Sequence, residues 1–283
     1  MSKLPAASRH QTIIRLINGG SGMSISAIAE TFGVSTETIR RDLVALERGG
    51  SLQRVYGGAI PSGREAALDE RVNMERAEKQ AIGNLVAAMI QPDQWMFMTG
   101  GSSVLAVAQA MRNGPPVSVM TNMPAIGDAL QAGSRHKVYL TGGEYDSVGK
   151  TLLGEEVLEA IKNCSFDLSI IGVYGLDADY GLVERTKQNM KLKNRLAAQS
   201  RASIYVADHT KIGAFGRYRS IPFADIETFV TDKPLEEPFA RLLTEAGASV
   251  LYPEQFTDRT GGEAGRRQQI EDDTIEEKAH END

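Results

Sequence analysis

Gly33-Val-Ser-Thr-Glu-Thr-Ile-Arg-Arg-Asp-Leu43 decides how the start of the chain is read. Ser35 stands where a hydroxyl caps a helix, and Ile39, Leu43 and Leu46 then recur at spacings of four and three. The other face of that helix carries Thr36, Glu37, Thr38, Arg40 and Arg41. Upstream, Ser24 caps a second helix whose Ile25, Ile28, Ala29 and Phe32 share one side. Gly33 and Val34 form the turn between the two helices, which is helix-turn-helix spacing. A first helix runs from His10 to Asn18 with Ile13, Ile14, Leu16 and Ile17 on its apolar side. Gly19-Gly20 and Gly49-Gly50 are the expected stops.

Short hydroxyls and guanidiniums at a helix start suit a major groove, the first turn on base edges and the arginines on guanines or phosphates. Ser35 belongs to that candidate set with the five residues after it on the polar face. The stretch from Ser51 to Ile60 reads as a strand, a Gly-Gly turn and a second strand. Such a wing places Arg54 and Tyr56 on a DNA backbone.

Outward from this head, the charge is divided. The chain has 283 residues and a net charge of −6, which taken globally argues against a nucleic-acid partner. Residues 1–60, however, carry seven Lys/Arg against four acids, a net of +3. Residues 254–283 carry four bases and ten acids, a net of −6, and read as an acidic, disordered tail. The single cysteine, Cys164, excludes an internal disulfide and a multi-thiolate metal site. No signal-like start or spanning apolar stretch is present, so a cytoplasmic protein without a membrane partner is expected.

Residues 61–72 read as a polar connector, and residues 73–253 as the body. From Arg71 to Ile90 the periodicity is that of one helix. Strand-like runs then alternate with helical ones: Trp95–Met98, Val117–Met120, Lys137–Leu140, Leu168–Val173, Ser203–Ala207 and Thr228–Val230. Leu153–Asn163 and Lys187–Ser200 read as helices among them. That alternation predicts an α/β body with a mainly parallel sheet. Ligands of such sheets bind outside the carboxyl ends of the strands. Thr99-Gly100-Gly101-Ser102-Ser103 falls at one such end and can cradle an anion with backbone N–H groups and hydroxyls. It is neither a Walker loop nor a dinucleotide fingerprint, so no cofactor is implied. Asn122, Gly142-Gly143-Glu144, and Asp208 with Lys211 mark further strand ends.

Gly33–Leu43 followed by Leu52-Gln-Arg-Val-Tyr-Gly-Gly-Ala59 resembles the signature of DeoR-family bacterial transcriptional regulators. The resemblance implies a winged helix-turn-helix head binding a double-stranded DNA operator. It further implies a sensor body similar in fold to ribose-5-phosphate isomerase that binds a phosphorylated sugar or polyol. The family's Gly-Gly-Thr/Ser-Thr/Ser loop is matched by Gly100–Ser103, its Thr-Asn by Thr121-Asn122, and its Gly-Gly-Glu by Gly142–Glu144. Its helix lysine falls on Lys193, with Lys191 and Lys187 as neighbouring registers, and its late Asp-x-x-Lys on Asp208 and Lys211. Two positions depart from the pattern: Thr99 and Tyr174 stand where the family carries acids.

Three function classes are open at this point: an effector-controlled repressor of carbohydrate or polyol genes acting as a homo-oligomer, a sugar-phosphate isomerase with an appended head, and a non-specific DNA binder. The replaced acids count against the second, because isomerisation needs a carboxylate base. The acidic body counts against the third.

Overall fold

The computed structural model describes residues 6–18, 23–48, 51–61, 67–132, 135–214 and 216–253. The head consists of α1 (Ala6–Asn18), β1 (Met23–Ser24), α2 (Ile25–Phe32), α3 (Thr36–Arg48), β2 (Leu52–Val55) and β3 (Gly58–Pro61). Ser24 caps α2 by accepting from the Ala27 N–H, and Gly33 closes it in the left-handed region at φ 61°. Ile13, Ile17, Ile28, Ile39, Leu43, Leu46 and Leu52 fill a core of the head's own. The three strands pair antiparallel in the order β1-β3-β2.

Two expectations change here. The first helix begins at Ala6, four residues before His10. The wing turns at Tyr56-Gly57, with Gly57 at φ 81°, and Gly58 is already in β3. Gly58 is needed for a different reason: a Cβ there would lie 2.4 Å from the Met23 carbonyl oxygen of β1. The expected glycine stops at 19–20 and 49–50, and the tail 254–283, lie outside the described residues.

The body runs through α4 (Leu68–Asn73), α5 (Arg76–Ala87), β4 (Trp95–Met98), α6 (Ser102–Met111), β5 (Ser118–Thr121), α7 (Pro124–Gln131) and β6 (Lys137–Leu140). It continues with β7 (Glu144–Asp146), β8 (Thr151–Leu153), α8 (Glu155–Ala160), β9 (Leu168–Gly172), β10 (Gly175–Asp177), β11 (Gly181–Glu184) and α9 (Lys187–Gln199). β12 (Ser203–Val206), β13 (Tyr218–Arg219), β14 (Thr228–Val230), α10 (Phe239–Glu245) and β15 (Ser249–Leu251) complete it. Seven strands form one parallel sheet in the order β15-β14-β12-β9-β4-β5-β6.

Successive strand residues point to opposite faces, and here both faces are dry. Met96 and Met98 join one apolar cluster with Ile170, Ile204 and Val206. Phe97 joins the other with Ile171, Tyr205 and Phe229. The chain starts the sheet at β4, adds β5 and β6 on one side, then crosses back to place β9 on the other. The crevice above β4 and β9 is therefore the topological switch point, where open α/β sheets hold ligands.

Four further expectations change. The stretch taken as a connector contains α4, because Leu68 is buried in the sheet's first cluster and Val72 packs beside it. The single helix from Arg71 is two, broken where Glu75 adopts φ 46°. Leu153 ends a strand rather than starting a helix; β7 and β8 form an antiparallel hairpin. A small antiparallel sheet, β10-β11-β13, follows β9 and was not anticipated.

Candidate functional site

On the head, α3 presents its polar face outward. Ser35 Oγ accepts from the Thr38 N–H at 3.2 Å and lies 2.9 Å from Thr38 Oγ1, fixing the first turn. Thr36, Glu37, Arg40 and Arg41 are exposed. Glu37 pairs with Arg40 at 3.5 Å and with Arg41 at 3.4 Å. Such exposed pairs are weak, about 0–1 kcal/mol, so they leave the guanidiniums able to change partners. Tyr56 projects fully into solvent at the wing tip.

Arg54 lies on β2 of the wing, as expected, and is engaged within the head. Glu47 of α3 accepts from the Arg54 backbone N–H at 2.9 Å and from its Nε at 2.7 Å. These bonds hold the Glu47 carboxyl below its ordinary range. The wing is thereby tied to α3, and Arg40, Glu47, Arg54 and Tyr56 line an open groove between them.

Asp42, the last polar residue of the quoted stretch, faces inward. It accepts from Arg9 at 2.6 and 3.1 Å and contacts His10 Nε2 at 2.9 Å. Burial pushes its carboxyl up, but the bonds from Arg9 and His10 outweigh that and hold it below the usual carboxylate range.

In the body, a cavity opens at the switch point. Its floor is the Thr99–Ser103 loop, with Asn122 beyond β5, Gly172 at the end of β9, and Val173 and Tyr174 beyond it. Ser102 and Ser103 begin α6, so the unpaired N–H groups of a ten-residue helix face this space. Lys193 and Lys211 reach it from α9 and from the turn after β12. Of the three lysine registers, Lys193 lines the cavity, while Lys191 is exposed and paired with Glu155 at 2.7 Å. Lys193 is buried and ion-paired with buried Glu184.

Some expected contacts are braces. Thr99 Oγ1 accepts from the Gly172 N–H at 2.9 Å, fastening β4 to β9. Asn122 accepts from the Gly100 N–H at 2.9 Å and donates to the Leu152 carbonyl at 3.0 Å. A Cβ on Gly100 would lie 2.2 Å from Thr151 Cγ2, so the loop approaches the hairpin closely.

Others lie elsewhere. Gly142, Gly143 and Glu144 do not line the cavity; Glu144 is exposed in β7 opposite Leu153. Gly143 is there for geometry, with φ 113° and a Cβ position 2.5 Å from the Leu153 carbonyl. Asp208 is wholly buried beside the cavity rather than in it, capping the turn that carries Lys211. Burial pushes its carboxyl up, while Lys211, Lys79 and Thr210 more than offset this and hold it low.

The cavity also contains residues the sequence reading passed over: Arg71, Asp146, Gly149, Thr151, Leu153, Glu184, Arg185, Thr186, Asn189 and Leu192. Thr186 had a readable signal, a hydroxyl before a helical run, and it caps α9 by accepting from the Asn189 N–H. Among the described residues, no group of His, Cys, Asp or Glu is placed to hold a metal ion, and no helix is long and apolar enough to cross a membrane.

Residues 9–62 match the DeoR-like helix-turn-helix domain, and residues 74–233 match the DeoR C terminal sensor domain. The chain belongs to the DeoR family. Among DeoR-type relatives, the glycerol-3-phosphate regulon repressor of Escherichia coli (strain K12) is 29% identical over 84% of this chain and 95% of its own length. The transcriptional repressor GlcR of Bacillus subtilis (strain 168) is 28% identical over 86% of this chain and 95% of its own. Ribose 5-phosphate isomerase A of Methanocaldococcus jannaschii, 7% identical, aligns with 47% of this chain and 53% of its own at a TM-score of 0.35. This DeoR-family chain is a DNA-binding transcriptional regulator rather than an enzyme.

Proposed function

We propose that this regulator represses carbohydrate or polyol utilisation genes, and that a phosphorylated sugar or polyol in the switch-point cavity sets its hold on the operator. The observation that carries the reading is the cavity's polarity. The α6 N-terminus supplies N–H groups and the hydroxyls of Ser102 and Ser103, with Lys211 and Arg185 on the surrounding walls. Helix N-termini and cations together favour a phosphate, while Thr186, Asn189 and Tyr174 offer partners for sugar hydroxyls. The named activity of the glycerol-3-phosphate regulon repressor accords with it.

In this reading the regulator is a cytoplasmic homo-oligomer, dimer or tetramer, whose paired α3 helices enter successive major grooves. Ser35, Thr36, Glu37, Thr38, Arg40 and Arg41 meet the operator, and Tyr56 meets its backbone. Thr99 and Tyr174 in place of acids make the pocket less negative, which suits an anionic ligand and selects among its hydroxyl patterns.

A thermal-shift screen of phosphorylated sugars and polyols against their unphosphorylated parents tests it. At 100 times its dissociation constant a ligand stabilises the folded state by about 2.7 kcal/mol. Shifts confined to the phosphorylated members are expected. Shifts from neutral sugars alone would remove the phosphate from the reading.

A further inference from the structure

Among the described residues α4 is the first element after the head, beginning at Leu68, seven residues beyond the end of β3 at Pro61. It is fastened at its start to a wall of the cavity and at its end to Lys79 of α5. At its start, the Leu68 N–H donates to the Val148 carbonyl at 2.9 Å, and Lys150 reaches both Asp69 carboxylate oxygens at 2.7 Å. Val148 and Lys150 belong to the β7–β8 turn, whose Asp146, Gly149 and Thr151 line the cavity. Asp146 keeps that turn rigid by accepting from the Val148 and Gly149 N–H groups at 3.3 and 2.8 Å.

At the other end, the buried Lys79 ammonium donates to the carbonyls of Arg71, at 2.8 Å, and of Met74. A helix end leaves such carbonyls without an internal partner, and here a lysine from α5 supplies it. Lys79 also lies 3.4 Å from Asp208, the residue that caps the Lys211 turn. Between the two fastenings, Arg71 of α4 lines the cavity.

We propose that Arg71 binds an anionic oxygen of the cavity's ligand and that α4 carries the cavity's occupancy to the DNA-binding head. The proposal rests on the effector reading above. A guanidinium takes a phosphate or carboxylate by paired, charge-assisted hydrogen bonds. A ligand held at once by Arg71 and by the Gly100–Ser103 loop ties α4 to the sheet. Besides that bridge, the N-terminal half of α4 is held by buried Leu68, by its N–H bond to Val148 and, weakly, by the exposed Asp69–Lys150 pair. For the two sites to be coupled, the ligand must hold one placement of α4 more tightly than another, and the Arg71 bridge supplies that difference.

The test uses the full chain and two probes, ribose 5-phosphate and glycerol 3-phosphate, each against ribose or glycerol. The phosphate that raises the wild-type melting temperature is carried into operator titrations with and without saturating probe. Wild-type protein is expected to change operator Kd by roughly 5- to 150-fold on saturation. In Arg71→Ala the probe still binds at higher concentration, yet the two operator Kd values become equal; Arg71→Lys restores part of the difference. Lys150→Ala, on the surface and outside the cavity lining, keeps probe affinity and loses part of the ratio. A wild-type ratio at saturation in Arg71→Ala and Lys150→Ala overturns the proposal, leaving Arg71 as a ligand contact and the effector reading intact. If Arg71→Ala does not fold, Lys150→Ala decides alone. If neither phosphate shifts the wild-type melting temperature, the effector reading fails first and the relay fails with it.

Discussion

The Arg9 guanidinium grips both oxygens of the Asp42 carboxylate, at 2.6 and 3.1 Å, and so fastens α1 to the buried side of α3. The helix proposed to meet the operator is oriented by a charge pair hidden on its reverse. Both side chains are at most a tenth exposed.

Breaking that pair by Asp42→Asn removes the carboxylate charge that lies 2.6 Å from the buried Arg9 guanidinium. Removing one partner of a buried pair destabilises by about 3–5 kcal/mol. Denaturant unfolding of the variant against wild type measures it, and a loss below 1 kcal/mol would show that the clamp is dispensable.

The same pair sets an acid limit. The folded Asp42 pKa lies below its unfolded value, so between the two the unfolded chain binds more protons and stability rises with pH. The clamp's contribution is complete above about pH 4 and is lost as pH falls through the folded pKa. Thermal melts from pH 7 to pH 3 should show a drop in that window that Asp42→Asn lacks.

Arg40→Ala should lower discrimination between operator and random DNA by about 1–3 kcal/mol, as for an arginine reading a base edge. Arg41→Ala should instead weaken both sequences and reduce the salt slope by about 1. Equal weakening of operator and random DNA by Arg40→Ala would make it a phosphate contact.

Glu47→Ala releases Arg54 from α3 and removes a negative charge from the groove. Affinity for random DNA should rise and its dependence on salt should steepen by about one counterion. An unchanged slope would mean that Arg54 stays on the wing surface when freed.

Ser102→Asp puts a carboxylate at the α6 N-terminus inside the cavity. Stabilisation by phosphorylated compounds should vanish while operator binding persists. A retained thermal shift would remove this loop from the ligand site.

What could be read in advance followed the strength of local patterns. β4, β6 and β14 match their expected limits because each is a short apolar or β-branched run bounded by polar or turn residues. The caps at Ser24 and Ser35 are chemical signals and were read as such. The hairpin β7–β8 was missed because Glu144–Asp146 is short and polar, so nothing in its periodicity marks a strand. That hairpin in turn carries Glu144 outward and brings Asp146 and Thr151 to the cavity. Arg71 reads as the start of a helix, but nothing in its spacing shows that this segment lies against the cavity beside the β7–β8 hairpin. A single left-handed residue, Glu75, breaks a helix whose apolar spacing continues across it. Lys193 found its position by resemblance; its pairing with Glu184 depends on β11, which the pattern did not disclose.

The order in which the chain is made bears on control. Among the described residues the head's core draws on residues 13–59, while the body's central strand, β4, waits for β9, which begins at Leu168. Domains fold as they emerge, at about 5–20 residues per second. For on the order of ten seconds a ribosome displays a finished DNA reader attached to no sensor. Nonsense alleles within the body are therefore expected to leave a folded head without the sensor domain, a product distinct from a simple loss of the protein.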